Sequence, residues 1–423
     1  MVTAATMLHE AARATGGQAR PPAGQSDHVD GRTPGVVIEP ATTADVSAAL
    51  AWASGAGLSV VVRGSGSKDA WGRTPRPVDV LLRTTRLARI VAHEASDLTA
   101  TVEAGARLRD VNAQLARHGQ CLPIDLPSLD EATIGGVLAT NDTGPARYRH
   151  GTPRDLVIGM TIVMADGLVS TSGGRVVKNV AGYDIGRLMT GSHGCLAVIT
   201  SATFKLAPLP PSARTLRIRV ARASDALALA DLLRQHQCEP DALEFHVVRQ
   251  GETEEVTMLV RYASVVAAVD AACRQTSAYA SQVGASVEDA DGLAANAWWR
   301  AHRASATGPG RVQIRLSWKP AEFAQAAEAM TAATRHVDID WTGRLTVGSG
   351  LLRLGGDAAH HSGIVSALRA NPVFRHVVVA DAPSALRQSV DVWEVSPTQR
   401  VLWQPIKDAC DPRDVLGAGR GPL

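Results

Sequence analysis

The sequence predicts an α+β protein made of two parts that follow one another along the chain. Short runs of β-branched residues alternate with amphipathic helical segments, and the proline-rich "PLPPSA" at residues 208–213 interrupts this pattern. The 423 residues are 45% hydrophobic and 20% charged, which is typical of soluble globular proteins and allows two or three domains. The formal charge of +2 argues against a nucleic-acid-binding surface.

The first part begins with a predicted helix from Thr3 to Ala14 and a glycine- and proline-rich connector to residue 35. Thr43 is expected to cap the next helix, "ADVSAALAWASGAG", and the apolar stripe of "LRDVNAQLARHG" predicts another. Asp166-Gly167 is typical of a hairpin turn. The predicted strands are "GVVIEP", "LSVVVRG", "VDVLLRT", "TATVEAG", "DLVIGMTIVMADG", "LVSTSGG" and "LAVITSATFKLAP".

The second part begins after the proline-rich boundary with the strand "TLRIRVA" and the helix "SDALALADLLRQH". We expect this α+β domain to cover residues 209–395 and to follow a first domain at 36–208. The sequence of residues 396–423 predicts a helix followed by an irregular end, and we expect this segment to return to the first domain.

The cysteines are odd in number and scattered, and no CxxC pair occurs among them. They support neither a zinc site, an iron–sulfur cluster nor a disulfide framework, and they fit a reducing compartment. The N-terminus lacks a basic start followed by an apolar core, and no apolar run approaches the length of a membrane span. The expected location is therefore the cytoplasm.

The stretch "VVVRGSGSKDAWG" at residues 60–72 has a strand that runs into a glycine-rich loop. A Rossmann loop would open into a helix, but two prolines and a strand follow here, and the Gly-Lys-Ser/Thr of a Walker loop is missing. Consecutive backbone N–H groups can still bind an anion without a helix. An ordinary Gly-Ser turn is the alternative, and this stretch alone does not decide between them.

Further blocks of the sequence are dense in small residues and hydroxyl side chains. Such a composition suits a flat ring or a phosphate that lies directly against the backbone. With Arg63–Ser67 they are "ATIGGVLATNDTG" at 132–144, "VVKNVAGYD" at 176–184 and "GSHGCLAVIT" at 191–200. In this order and spacing, they resemble the FAD-binding domain of the vanillyl-alcohol oxidase/PCMH flavoprotein superfamily. Within it, the chain is most similar to the FAD-binding E subunit of bacterial glycolate oxidase. The resemblance covers about residues 30–208.

This resemblance implies a two-subdomain PCMH-type FAD-binding domain at 36–208 and a smaller α+β substrate or cap domain after it. The first loop would bind the FAD pyrophosphate, the second block would line the isoalloxazine and ribityl side, and the last would meet the adenosine end. The implied cofactor-binding residues are Arg63, Gly64, Ser65, Gly66, Ser67, Lys68, Thr133, Ile134, Gly135, Gly136, Ala139, Thr140, Thr143, Gly144, Gly194, Val198 and Ile199.

Non-covalent FAD is also implied by the resemblance. Covalent attachment in this superfamily usually uses a histidine in the first loop or a cysteine near the second. The first loop has no histidine, and Cys121 precedes the second block. The family's C-terminal Asn-Pro is replaced by Gly417-Ala418, and His193 stands where a glutamate is common.

The implied function is that of an FAD-dependent oxidoreductase subunit that transfers hydride from a small 2-hydroxy acid, of the glycolate or D-lactate type, to flavin N5. The chain lacks the metal motifs of the family's catalytic dehydrogenases, so a non-catalytic or electron-relay flavin subunit is the alternative. The resemblance also implies a second flavoprotein subunit and an iron–sulfur subunit as partners, with any inner-membrane contact made through them. Lys178, Tyr183 and Arg149 lie in the motifs near the flavin and are the catalytic candidates, but structural roles are the preferred interpretation: Lys178 would pair with Asp184, and Tyr183 would pack with its hydroxyl hydrogen-bonded.

No metal is expected. Asp357, His360 and His361 precede a predicted helix, where a solvated cap is the preferred interpretation.

Overall fold

A computed structural model of the protein describes residues 4–126, 130–174, 182–305 and 312–423. The first lobe, residues 4–208, contains two sheets, and the second lobe, residues 212–395, contains one large sheet. Residues 396–423 form a tail. The predicted α+β class is confirmed, and the sheets of the two lobes lie on either side of the proline-rich stretch in the sequence.

The first sheet has the order β1-β2-β4-β3, in which β2 and β3 run parallel to β4. The predicted N-cap of α2, Thr43, is the first residue of the helix itself. Thr42 is the N-cap because it is extended and its hydroxyl accepts a hydrogen bond from the Asp45 N–H. The prediction of Thr43 was therefore wrong by one position. The elements are α1 (Ala4–Ala14), β1 (Ala19–Arg20), β2 (Val36–Ile38), α2 (Thr43–Gly55), β3 (Val60–Arg63) and β4 (Val80–Arg83).

The second sheet is antiparallel, with the order β5-β6-β10-β8-β9, and a small β7-β11 pair lies beside it. The hairpin between β8 and β9 turns at Asp166-Gly167 as predicted, with Val163 opposite Val169. The elements are β5 (Ile90–Glu94), β6 (Thr99–Glu103), α3 (Leu108–Leu115), β7 (Gln120–Cys121), α4 (Ile134–Thr140), α5 (Arg147–His150), α6 (Pro153–Leu156), β8 (Val157–Val163), β9 (Val169–Gly173), α7 (Ile185–Met189), β10 (Val198–Lys205) and β11 (Ala207–Pro208).

The second lobe is an eight-stranded antiparallel sheet in the order β15-β12-β14-β13-β17-β18-β16-β19. Its elements are β12 (Ser212–Val220), α8 (Ala223–Gln235), β13 (Ala242–Gln250), β14 (Thr253–Ser264), α9 (Val266–Gln282), β15 (Ser286–Asp291), α10 (Gly292–Ser305), β16 (Val312–Ser317), α11 (Phe323–Ala333), β17 (Ile339–Arg344), β18 (Ser349–Leu354), α12 (His361–Ala370), β19 (His376–Asp381) and α13 (Ser384–Ser389).

The two faces of this sheet differ because side chains alternate along each strand. One face packs Phe245, Trp341 and Ile314 against the apolar sides of α8, α9, α11 and α12. The opposite face presents polar residues from the same strands, among them Glu244 and Arg315. The polar face thus looks into a cleft that it shares with the first lobe.

The tail begins with α14 (Pro397–Cys410) and lies against β3 of the first lobe. The Val60 N–H donates to the Val415 carbonyl at 2.8 Å, and the Arg76 N–H donates to Ala418. No helix within the described ranges combines the length and the apolar character that crossing a membrane requires.

Candidate functional site

A cleft of about 990 Å³, here called the loop cleft, lies where the two sheets of the first lobe meet the tail. Segments far apart in sequence line it: β3 and the loop after it, one side of α4, and the start of β10 with the residues before it. The tail contributes Gly417 and Arg420. Three of the sequence blocks that resemble a flavin-binding domain thereby meet around one cavity.

The loop after β3 presents its backbone to this cleft. The N–H groups of residues 64–68 donate no hydrogen bond to any residue that the structure describes. Gly66 has φ = 87°, a conformation that glycine adopts without strain. Successive unpaired N–H groups in such a turn form a concave anion-binding site.

Arg63 supports this loop from behind. Its guanidinium donates to the Ser26 carbonyl at 2.9 Å, to the His28 carbonyl, and to the Asp69 carboxylate at 3.1 Å. The residue is only 5% exposed. Arg63 was predicted to bind the cofactor. Its side chain holds the loop in shape, and the residue itself also lines the cleft.

The loop also packs tightly on the start of α4. A Cβ atom added to Gly64 would lie 2.2 Å from the Thr133 hydroxyl oxygen. Thr133 is fixed in place because it is the N-cap of α4 and accepts a hydrogen bond from the Gly136 N–H. Only glycine therefore fits at position 64.

Replacing Gly64 with alanine should weaken FAD binding at least about tenfold, because the loop must move away from Thr133 by more than ordinary packing tolerates. Titration of the FAD-free protein with FAD, followed by flavin fluorescence, measures the effect. Gly363→Ala is the matched control, since a Cβ there meets nothing within 4 Å. Equal FAD affinity in Gly64→Ala and wild type would contradict the packing argument.

His193 closes one side of the loop cleft, with its ring edge-on to Trp393 at 4.5 Å between centroids. Burial, reinforced by the charge of Arg315, lowers the pKa of His193 to about 3, so the imidazole is neutral at physiological pH. Beside it, the Arg420 guanidinium donates to the Trp71 carbonyl at 2.9 Å. The sequence interpretation missed Arg420, although it noted the C-terminal motif that contains it.

A second, larger cleft of about 1760 Å³, here called the interlobe cleft, lies between the first lobe and the polar face of the second-lobe sheet. Ser67, Lys68 and Trp71 line both clefts, so the two spaces adjoin at the end of the glycine-rich loop. The charged residues around the interlobe cleft are Lys68, Glu131, Asp142, Arg147, Glu244, Arg303, Arg315, Arg344 and Asp381, and His302 and His376 also line it.

An ion pair between Asp142 and Arg315 connects the first lobe to the second, and Lys68 of the glycine-rich loop lies beside it. The Asp142 carboxylate accepts a hydrogen bond from the Arg315 guanidinium at 2.5 Å and lies 3.4 Å from the Lys68 ammonium. Arg344 lies 2.8 Å from the buried Glu244. Burial opposes ionisation of Glu244, yet the charge of Arg344 holds its pKa below the usual range, so this carboxylate is ionised.

The structure brings most predicted cofactor residues together. All of them line the loop cleft except three: Thr143 and Gly144 line the interlobe cleft, and Ile134 lies in the core at 1% exposure.

The catalytic candidates are placed differently. Tyr183 is 91% exposed, and Arg149 pairs with Asp241 at 3.3 Å. Neither lines either cleft. Lys178 lies outside the described residues. Asp357 accepts a hydrogen bond from the Ala359 N–H and so caps a helical turn.

Comparison with known proteins identifies the first lobe. Residues 34–173 match the family FAD_binding_4, described as an FAD binding domain. The D-lactate dehydrogenase of Archaeoglobus fulgidus is 33% identical over 54% of this chain and 51% of the relative. Glycolate oxidase subunit GlcE of Escherichia coli is 41% identical over 37% of this chain and 45% of the relative. The chain thus spans about half the length of these curated relatives.

Longer matches are more distant. The D-2-hydroxyglutarate dehydrogenase of Xanthomonas citri is 25% identical over 92% of this chain and 89% of the relative. A glucooligosaccharide oxidase from Acremonium strictum, whose structure is described with a 6-S-cysteinyl, 8α-N1-histidyl FAD, has a TM-score of 0.70 at 15% identity over 99% of both chains. This likeness shows a shared fold. Residues 34–173 therefore match an FAD binding domain, and the chain shares its overall fold with this oxidase.

Proposed function

We propose that the chain is an FAD-dependent oxidoreductase subunit that acts on small 2-hydroxy acids and holds its FAD non-covalently in the loop cleft. The unpaired N–H groups of residues 64–68 carry the proposal, because they offer a pyrophosphate donors that no described residue uses. The names of the relatives support the substrate class, since they include dehydrogenases and oxidase subunits for lactate, glycolate and 2-hydroxyglutarate.

The residues present fit an FAD. The loop at 64–68 would hold the pyrophosphate, and Gly135, Gly136 and Thr140 would line the ribityl and ring side. Gly194, at φ = 70°, has no atom within 4 Å of an added Cβ, and this leaves room for a ligand beside Val198 and Ile199. Bound FAD would supply the acceptor for a hydride from the carbon that carries the substrate hydroxyl.

The chain's own residues would bind and orient the substrate in the interlobe cleft. Lys68 and Trp71 belong to both clefts and would stand between cofactor and substrate. The buried Arg344–Glu244 pair and the part-buried Arg315–Asp142 pair fix the side chains that surround this space. Because these groups are already held in position, substrate binding would require little reorganisation.

An electron-relay subunit is the alternative. It would bind FAD in the same way, while a partner chain held the substrate. The relatives support such a partnership, since GlcE of Escherichia coli is named as a subunit of glycolate oxidase. We propose a second flavoprotein subunit and an iron–sulfur subunit as partners, and a cytoplasmic location in which any membrane contact is made through them.

An anaerobic visible spectrum of the FAD-loaded chain, taken before and after addition of glycolate or D-lactate, tests the proposal. Bleaching of the flavin absorption by the chain alone supports an oxidoreductase with its own substrate site. Flavin that stays oxidised until the partner subunits are added supports the relay function. Flavin that stays oxidised even with the partners contradicts both functions.

The FAD should be released when the protein is precipitated with acid, because no cysteine lines the described part of the loop cleft and its one histidine, His193, belongs to a motif different from the first loop. Absorption of the supernatant near 450 nm measures free flavin (a wavelength at which oxidised flavins absorb). Yellow colour that remains in the pellet would show covalent attachment, and its loss in His193→Ala would identify the attachment point.

A further inference from the structure

We propose that Arg147 is the residue that binds the substrate carboxylate in the interlobe cleft, with Arg315 and Lys68 adding positive charge around it. The identity of the bound anion as the substrate rests on the proposed function. The anion site itself rests on the geometry and charges of the cleft.

Arg147 is the first part of the case. It lies at the start of α5, on the first-lobe side of the cleft. No residue in the described ranges forms a hydrogen bond or an ion pair with its guanidinium. Burial, followed by the charges of Arg344 and Arg315, lowers its pKa. The carboxylates of Asp155 and Glu244 act in the opposite direction but do not restore the pKa of Arg147, so this half-buried guanidinium near two others still favours a further anion.

The neighbouring cations are the second part. Arg344 is committed to Glu244 and to the Thr143 carbonyl, and so holds its place without a ligand. Arg315 and Lys68, by contrast, share the single carboxylate of Asp142. Among the residues that the structure describes, the buried Lys68 ammonium has no hydrogen-bond partner, and the Asp142 carboxylate lies 3.4 Å from it. On the side of the cleft that faces the glycine-rich loop, these two cations therefore have one paired carboxylate between them.

A carboxylate is the ligand class that these groups favour. The planar guanidinium fork binds two carboxylate oxygens at once, whereas the Lys68 ammonium acts as a point charge beside it. The volume of the cleft, about 1760 Å³, leaves space for a small organic acid. Because Lys68 and Trp71 also line the loop cleft, an acid bound here would lie next to the cofactor loop.

Arg149, two residues further along, is a poor candidate for binding the substrate carboxylate. Arg149 is already paired with Asp241. Its side chain is about half exposed, at 48%, so water weakens any anion contact that it makes. The two arginines thus form a natural pair for comparison: they have the same charge and lie on the same short helix, but only Arg147 faces the cleft.

Isothermal titration of the FAD-loaded protein with oxalate tests the proposal. Oxalate is a small carboxylate with no C–H bond to oxidise, so binding is measured apart from turnover. We expect Arg147→Gln to weaken oxalate binding by about tenfold to a hundredfold, as loss of a charged hydrogen-bonding group does. Arg149→Gln should bind oxalate as the wild type does. The FAD content and the melting temperature of each variant establish that it is folded and loaded.

The proposal is overturned if Arg147→Gln binds oxalate as tightly as the wild type, or if the loaded wild type binds no oxalate at all. If oxalate binds through Arg147 but no 2-hydroxy acid reduces the flavin, then the anion site stands and the catalytic function fails. Arg147→Lys adds a further readout: a retained charge without the planar fork should restore binding only in part.

Discussion

Replacing Asp411 with alanine is expected to lower the free energy of unfolding by about 3–5 kcal/mol, because the change removes the buried counter-ion of Lys407 and leaves it beside the half-exposed Asp414, 3.1 Å away. The Asp411 carboxylate accepts the Lys407 ammonium at 2.5 Å and also the N–H groups of Val415 and Leu416. It is 2% exposed. Urea denaturation measures the loss of stability.

The same substitution should also weaken FAD binding, because Asp411 holds the tail against the first lobe. Val415 accepts a hydrogen bond from β3, and Gly417 and Arg420 beyond it line the loop cleft. Asp408→Ala is the matched control: Asp408 lies on the same helix but is exposed, so its loss should cost little. If Asp411→Ala lowers the free energy of unfolding by less than typical surface substitutions do, this account of the tail is contradicted. The double substitution Lys407→Met with Asp411→Leu should recover part of the stability, because it removes both buried charges.

Replacing Arg63 with lysine is expected to cost about 3 kcal/mol of stability and to reduce FAD affinity at least about tenfold. The Arg63 guanidinium reaches two backbone carbonyls and the Asp69 carboxylate together. A lysine ammonium lacks this planar arrangement of donors and cannot replace it. Denaturation curves and FAD titration measure the two effects separately.

Arg86→Lys serves as the comparison for Arg63→Lys. Arg86 is exposed and donates one hydrogen bond, to the Glu39 carbonyl at 3.0 Å, so a lysine there should change neither stability nor FAD affinity. If Arg63→Lys behaves like Arg86→Lys, then the loop keeps its shape without the buried guanidinium. A cause other than Arg63 would then be needed to explain why the N–H groups of residues 64–68 donate no hydrogen bond to the described residues.

Several elements of the first lobe were predictable from the sequence because they are local. The strand at Val60–Arg63, the glycine-rich loop after it and the hairpin at Asp166-Gly167 each follow from a few adjacent residues. The boundary at residues 208–213 follows from prolines in the same way. Thr42 was missed as a cap because Thr42 and Thr43 are chemically alike, and only the backbone conformation distinguishes them.

The interlobe cleft was not predictable in this way, because its charged residues come from elements that are distant in sequence. Arg315 lies on β16, Arg344 on β17 and Glu244 on β13, and only the strand order brings them to one face. Alternation within each strand marks them as polar-face residues. It does not show that this face would meet Asp142 of the first lobe rather than water.

The measurement that tests the central claim most directly is titration of the FAD-free chain with FAD, in the wild type and in Gly64→Ala. The account predicts that the wild type binds one FAD per chain and is stabilised against heat as FAD is added, as a ligand of the folded state requires. It also predicts that Gly64→Ala binds FAD at least about tenfold more weakly. A wild-type chain that binds no FAD, or one whose affinity is indifferent to Gly64, would contradict the claim that the loop cleft is the flavin site.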